Sequence, residues 1–174
     1  NQFSFIDIIN SKQILEKLNG KNEIKYIAKK NNKNFINNLI LKFNVEFGIL
    51  DYDFQLKFKG GLKICSGSIN FLDEYPRLYF KCKLDVSDTK SFFKSLSIKL
   101  KNIKPFKLTT TGSYNLLNYK INFEDLRNDN DYIANEEDKL FFKRLLENIL
   151  SSKNFLSVFE LEKIKKIVKE IVES

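Results

Sequence analysis

Residues 39–84 constrain this chain more than any other stretch, because nearly all of them alternate apolar and polar side chains. Leu39, Leu41, Phe43, Val45 and Phe47 occupy odd positions, with Lys42, Asn44 and Glu46 among the residues between them. After Gly48 the phase reverses, and Leu50, Tyr52, Phe54, Leu56 and Phe58 occupy even positions. Period-two alternation is the mark of a strand with one side buried, because successive side chains leave the backbone on opposite sides. Each reversal marks a turn.

The turns predict a register. A two-residue loop at Gly48-Ile49, with glycine first as a type II′ turn prefers, sets Phe47 against Leu50, Val45 against Tyr52, Phe43 against Phe54 and Leu41 against Leu56. A second loop at Gly60-Gly61 sets Leu56 against Cys65, Tyr52 against Ile69 and Leu50 against Phe71. A four-residue loop at 72–75 sets Ile69 against Leu78 and Cys65 against Cys82, with Pro76 tolerated at a strand start. All three loops keep the apolar set on one face, whereas a slip of one residue would send it to the other. The expected class is α+β: an antiparallel β-meander with one apolar face and a Lys-rich opposite face, flanked by amphipathic helices and ending in a helical C-terminus.

Residues 4–18 carry Phe5, Ile8, Ile9, Leu15 and Leu18 near helical spacing, closed by Asn19-Gly20, and predict a helix whose opening also fits a short strand. Residues 23–30 alternate and predict a strand, with a turn at 31–34. Ser87 or Asp88 can cap a short helix holding Phe92, Phe93 and Leu96, although 96–103 alternate well enough for a strand. Residues 106–114 and 119–125 predict another hairpin, with Tyr114 against Tyr119, Gly112 against Ile121 and Thr110 against Phe123. Asn135 caps a helix with Glu and Asp in its first turn, where the helix dipole favours them. Phe159, Ile164, Ile167, Val168, Ile171 and Val172 then form the stripe of a last helix. Two units follow: 1–130, a sheet with an N-terminal helix, and 131–174, a helical pair packing on or capping that sheet.

Composition removes most chemistries. The chain has 174 residues, 43% of them hydrophobic, and 17 phenylalanines, enough for a substantial core. Its net charge of +8 invites nucleic acid or an anionic membrane. The only arginines, however, are Arg77, Arg127 and Arg144, and the lysines are spread along the whole chain, so the charge reads as solvated surface and no nucleic-acid partner is expected. With no histidine, the commonest general base and the commonest transition-metal ligand are missing. Glu124, Asp125, Asp129 and Asp131 lack the ligand-glycine order of a calcium loop. Ser66-Gly67-Ser68 and Thr109-Thr110-Thr111-Gly112 fall within strands, whereas a phosphate loop joins a strand to a helix. No catalytic residue, metal or cofactor is expected, and the chain does not read as an enzyme. No apolar run approaches the roughly 20 residues that span a bilayer.

The register brings Cys65 and Cys82 face to face, near the separation a disulfide needs. Two readings stand: a disulfide made in an oxidising compartment such as the periplasm, or two buried thiols acting as small hydrophobes, with the thiol pair favoured.

The segment GLKICSGSINFLDEYPRLYFKCKLDVSDTKSFFKSLSIKLKN, followed by KLTTTGSYNLLNYKINFEDL and the helical ending after NEEDKLFFKRLLENIL, resembles the C-terminal part of bacterial AsmA-like proteins of the TamB and YhdP type. The likeness covers residues 39–174. It implies a periplasmic module of a longer envelope protein, anchored in the inner membrane through a segment upstream of this chain. It also implies a curved sheet, a groove thought to carry phospholipid or another apolar ligand in outer-membrane biogenesis. No single functional residue carries over from the family; only the apolar face does. The lipid-binding side chains expected on that face are Leu41, Phe43, Val45, Tyr52, Phe54, Leu56, Ile69, Phe71, Leu78 and Phe80, with lysines at the rim for anionic headgroups. The alternative expectation is a sealed core in which the chain's own helices cover the face, as in an interaction or scaffold domain.

Overall fold

A computed structural model describes residues 11–29, 35–99, 104–129 and 132–150, together with Lys165 and Val168. A short helix α1 (Lys12–Leu15) leads into seven strands: β1 (Asn19–Ile27), β2 (Ile36–Glu46), β3 (Ile49–Phe58), β4 (Gly61–Asn70), β5 (Arg77–Val86), β6 (Phe106–Asn115) and β7 (Ile121–Asn128). Helix α2 (Thr89–Ser95) connects β5 to β6, and α3 (Glu136–Leu150) follows β7. The strands form one open antiparallel sheet in chain order, β1 to β7. The chain is thus a mostly-β α+β protein. Among the described residues, no helix is long and apolar enough to cross a membrane.

The first two hairpins are shifted by two residues from the predicted register. Phe47 and Gly48 make the first loop, with φ of 48° and 81°, so Glu46 faces Ile49, Val45 faces Leu50, Phe43 faces Tyr52 and Leu41 faces Phe54. Positive φ at both central residues is the type I′ condition, whose twist suits a hairpin, and glycine takes the second position instead of the first. Lys59-Gly60 makes the second loop, in which Gly60 alone takes a positive φ, 87°. Phe58 therefore faces Gly61, Phe54 faces Cys65, Tyr52 faces Gly67 and Leu50 faces Ile69. A shift of two preserves the parity of every side chain, so the same residues still share a side of the sheet.

The third hairpin has the predicted pairing, Ile69 with Leu78 and Cys65 with Cys82. Asn70 shapes its loop by accepting the Leu72 amide at 3.0 Å, and the Lys12 ammonium of α1 donates to the Leu72 and Asp73 carbonyls. The last hairpin is again displaced by two: Tyr114 faces Ile121 and Gly112 faces Phe123. An irregularity between Thr111 and Gly112 then puts Thr110 opposite Leu126 instead of Phe123. The loop runs through 116–120 because the Asn115 side chain accepts the Leu117 and Asn118 amides and Tyr119 takes φ 60°.

Other boundaries also move. Of the predicted helix 4–18, residues 1–10 lie outside the described residues, and the described part is helical only over Lys12–Leu15. Asn19-Gly20 opens β1 instead of ending the helix, so this strand starts four residues earlier than expected. The helix alternative holds over 89–95: Asp88 caps α2 by accepting the Ser91 amide at 2.9 Å, and Leu96 ends it. Asn135 caps α3 reciprocally, accepting the Asp138 amide at 2.9 Å while Asp138 accepts the Asn135 amide at 3.1 Å. The last predicted helix lies outside the described residues except for Lys165 and Val168, which are helical.

Two apolar clusters sit at opposite ends of the strands. One gathers Leu15 of α1, Ile69, Phe71, Tyr114, Leu116 and Ile121, with Leu146 of α3 packed against it. The other gathers Leu56, Phe58 and Val86 with Phe92, Phe93 and Leu96 from α2 and its C-cap, and Val168 packs against it. Helix α3 is tied to the sheet through Glu147, whose carboxylate accepts the Ile121 amide at 3.1 Å.

Candidate functional site

Directly opposed residues of a sheet share a side, so the pairings define rows running across the strands. Val45, Leu50, Ile69, Leu78, Tyr114 and Ile121 form the first row, and all but Val45 lie in the first cluster or pack against it. Phe43, Tyr52, Gly67, Phe80, Gly112 and Phe123 form the second, in which every ring from Tyr52 onward alternates with a glycine. Leu41, Phe54, Cys65, Cys82, Thr110 and Leu126 form the third. Leu39, Leu56, Lys63, Leu84 and Leu108 form the fourth, against the second cluster.

The glycines of the second row make room for rings. A Cβ on Gly67 would stand 2.9 Å from the Tyr52 hydroxyl, which crosses that strand to donate to the Tyr79 carbonyl at 3.3 Å. The Gly67 gap therefore serves Tyr52 and Phe80, not Phe54 as the predicted register required. A Cβ on Gly112 would stand 2.9 Å from the tip of Phe80, whose ring meets Phe123 edge-on at 6.2 Å. Burial pushes the Tyr52 hydroxyl up to about 12.

In the third row Cys65 and Cys82 are joined by a disulfide, their Cα atoms 4.1 Å apart. This corrects the thiol-pair reading: the third hairpin holds two cysteines directly opposite each other, the close spacing of an antiparallel pair. The bond ties β4 to β5 in the middle of the sheet.

The ten predicted lipid-binding residues divide by surroundings. Ile69 and Phe71 are buried in the first cluster, with Leu78 and Phe80 packed against it. Leu56 is buried in the second, with Phe54 against it. Leu41, Phe43, Val45 and Tyr52 belong to neither cluster; Val45 is buried and the other three are half-buried. They continue toward Ile24 of β1, which faces Leu41 and is 52% exposed.

Lys63 is the residue that sequence reasoning passed over. It shares a side of the sheet with Cys65, Gly67 and Ile69, and stands between Leu56 and Leu84. The next residue, Ile64, faces Gln55 and Lys83 on the other side and is 47% exposed. A lysine on the apolar side and an isoleucine on the polar side invert the alternation. That signal was present in the Lys63-Ile64 order once the parity of β4 was set by Cys65 and Ile69. Desolvation pushes the Lys63 ammonium below the usual lysine range.

The opposite side carries ion pairs: Glu23 with Lys25 at 2.9 Å and with Lys42 at 3.9 Å, and Asp85 with Lys107 at 3.1 Å. A shallow depression of about 540 Å³ on β1–β4 is lined largely from that side, by Glu23, Lys42, Asp51 and Asp53 among others. Tyr79 lies there too, 44% exposed between Ser68 and Ser113.

Fold and rows define an open antiparallel sheet with half-buried aromatic and aliphatic side chains between two helix-capped clusters. Comparison with protein-family models, with curated proteins and with solved structures finds no match to this chain.

Proposed function

We propose that this chain is a non-enzymatic, lipid-binding module of an AsmA-like periplasmic protein that holds or conducts lipid for outer-membrane biogenesis. In this reading the four rows form one curved apolar trough, and acyl chains lie over its middle. The observation that carries it is the half-buried strip of Leu41, Phe43 and Tyr52, which belongs to neither cluster and ends on exposed Ile24. Contiguous apolar surface left between packed regions is the usual setting of an apolar-ligand groove. The Cys65–Cys82 disulfide supports an oxidising compartment, as the periplasm is. The test is native mass spectrometry and lipid extraction of gently purified protein. Wild type is expected to carry lipid, and Phe43→Asp to fold without it.

A second reading, an interaction or scaffold domain with a sealed core, is favoured by one observation: Leu146 of α3 and Val168 pack against the two clusters from the helical C-terminal region. Protein that is free of lipid in both forms would decide for it.

A further inference from the structure

We propose that Lys63 is the anchor for the head of the bound lipid, and that the lipid is a long-chain fatty acid whose carboxylate pairs with the Lys63 ammonium while its tail runs over Phe54, the disulfide and Phe43. This rests on the lipid-binding reading and names the ligand class of the same site.

Register makes Lys63 the one charged side chain on the apolar side of the described strands. Its neighbours across the ladder are Leu56 and Leu84, and its neighbours two positions along β4 are Gly61 and Cys65. Asp85, next along β5 from the Lys63 partner Leu84, lies on the other side and pairs with Lys107. Among the described residues no carboxylate lies within ion-pair distance of Lys63. An ammonium drawn into apolar surroundings is stable there only if it gives up its proton or meets an anion. Desolvation already pushes its pKa down, so an arriving carboxylate would restore the charged form through a charge-assisted hydrogen bond. One isolated ammonium with leucines on both sides matches a small univalent head. A phosphodiester headgroup would need further donors, and none stand beside Lys63 in its row.

The experiment compares palmitate, hexadecanol and dioleoyl-phosphatidylglycerol vesicles by calorimetric titration into the full chain, wild type and Lys63→Leu, with Lys63→Met as a second variant. Wild type is expected to bind palmitate about tenfold or more tightly than the uncharged alcohol. Both variants are expected to lose that preference while keeping hexadecanol affinity and an unchanged or raised melting temperature. Equal palmitate preference in wild type and both variants overturns the assignment and leaves the lipid reading standing. So does wild-type preference for phosphatidylglycerol over palmitate. Binding of none of the three overturns both.

Discussion

The Tyr52 hydroxyl reaches across the whole width of β4 to donate to the Tyr79 carbonyl, 3.3 Å away, and it can do so because Gly67 lies beneath it. Removing the hydroxyl in Tyr52→Phe costs one hydrogen bond, about 1 kcal/mol. Gly67→Ala is expected to cost more, about 1–3 kcal/mol, because its Cβ meets both the Tyr79 carbonyl and the Tyr52 hydroxyl. Urea unfolding of the two variants measures the order; a larger loss for Tyr52→Phe would contradict it.

Tyr52 and Tyr114 are both pushed up to about 12 by burial, Tyr114 also by the nearby Tyr119 and Glu147. The unfolded chain releases these protons near the ordinary 10, so between 10 and about 12 it binds fewer protons than the folded chain. Their contribution is complete below pH 10 and is lost as pH rises toward 12. Absorbance titration at the tyrosinate band is expected to show Tyr52 and Tyr114 late, together with Tyr132, whose hydrogen bond to Asp138 also holds its hydroxyl above the ordinary range, and Tyr52→Phe to remove one. Simultaneous titration of all seven near pH 10 would refute this.

Phe47 holds φ 48° in the first hairpin loop while 67% exposed, so its ring offers little packing in return for a left-handed backbone. Phe47→Asn supplies the Asn-Gly pair that a type I′ turn prefers and is expected to raise stability by about 1 kcal/mol. Gly48→Ala should do the reverse, since its Cβ would stand 2.6 Å from Leu72 at φ 81°. Thermal melts of the pair give the signs directly.

Reducing the Cys65–Cys82 bond, or replacing both with alanine, releases a loop with a separation of 17 residues. Loop-closure entropy sets the expected loss at about 3 kcal/mol. Denaturant midpoints with and without reductant check it, and the double variant should be insensitive to reductant.

Asn135→Ala breaks the reciprocal cap of α3 and is expected to cost about 1 kcal/mol. Because Glu147 of the same helix holds the Ile121 amide, that amide should exchange with solvent faster in the variant. Amide hydrogen exchange resolved at Ile121 gives the answer, while the β3–β4 amides stay unchanged.

Alternation alone made the strands, the order of the β2–β5 meander and the parity of its side chains legible, because a period of two survives any register shift of two; that β1 and the β6–β7 hairpin join the same sheet was not. The turn type was not legible to the same degree. Gly48 and Gly60 each fit either central position of a two-residue loop, and the structure puts each of them second, at φ 81° and 87°. The Thr111/Gly112 irregularity left no mark in the pattern, since one extra residue changes pairing without changing composition. Of the candidate site, the apolar row residues were read from parity. The Tyr52–Gly67–Phe80 grouping needed the true register.

Sequence by itself determined a seven-stranded antiparallel ladder's worth of alternating segments, the capped helices at 89–95 and 136–150, and the absence of histidine chemistry. Tertiary structure decided which apolar residues are sealed and which are half-covered. It did so because burial depends on which helix lies over which row: α2 over Leu56 and Val86, α1 and α3 over Ile69 and Ile121, and neither cluster over Phe43. It also decided that Cys65 and Cys82 are bonded, since opposition in a ladder brings two sulfurs within reach only when the register is settled to the residue.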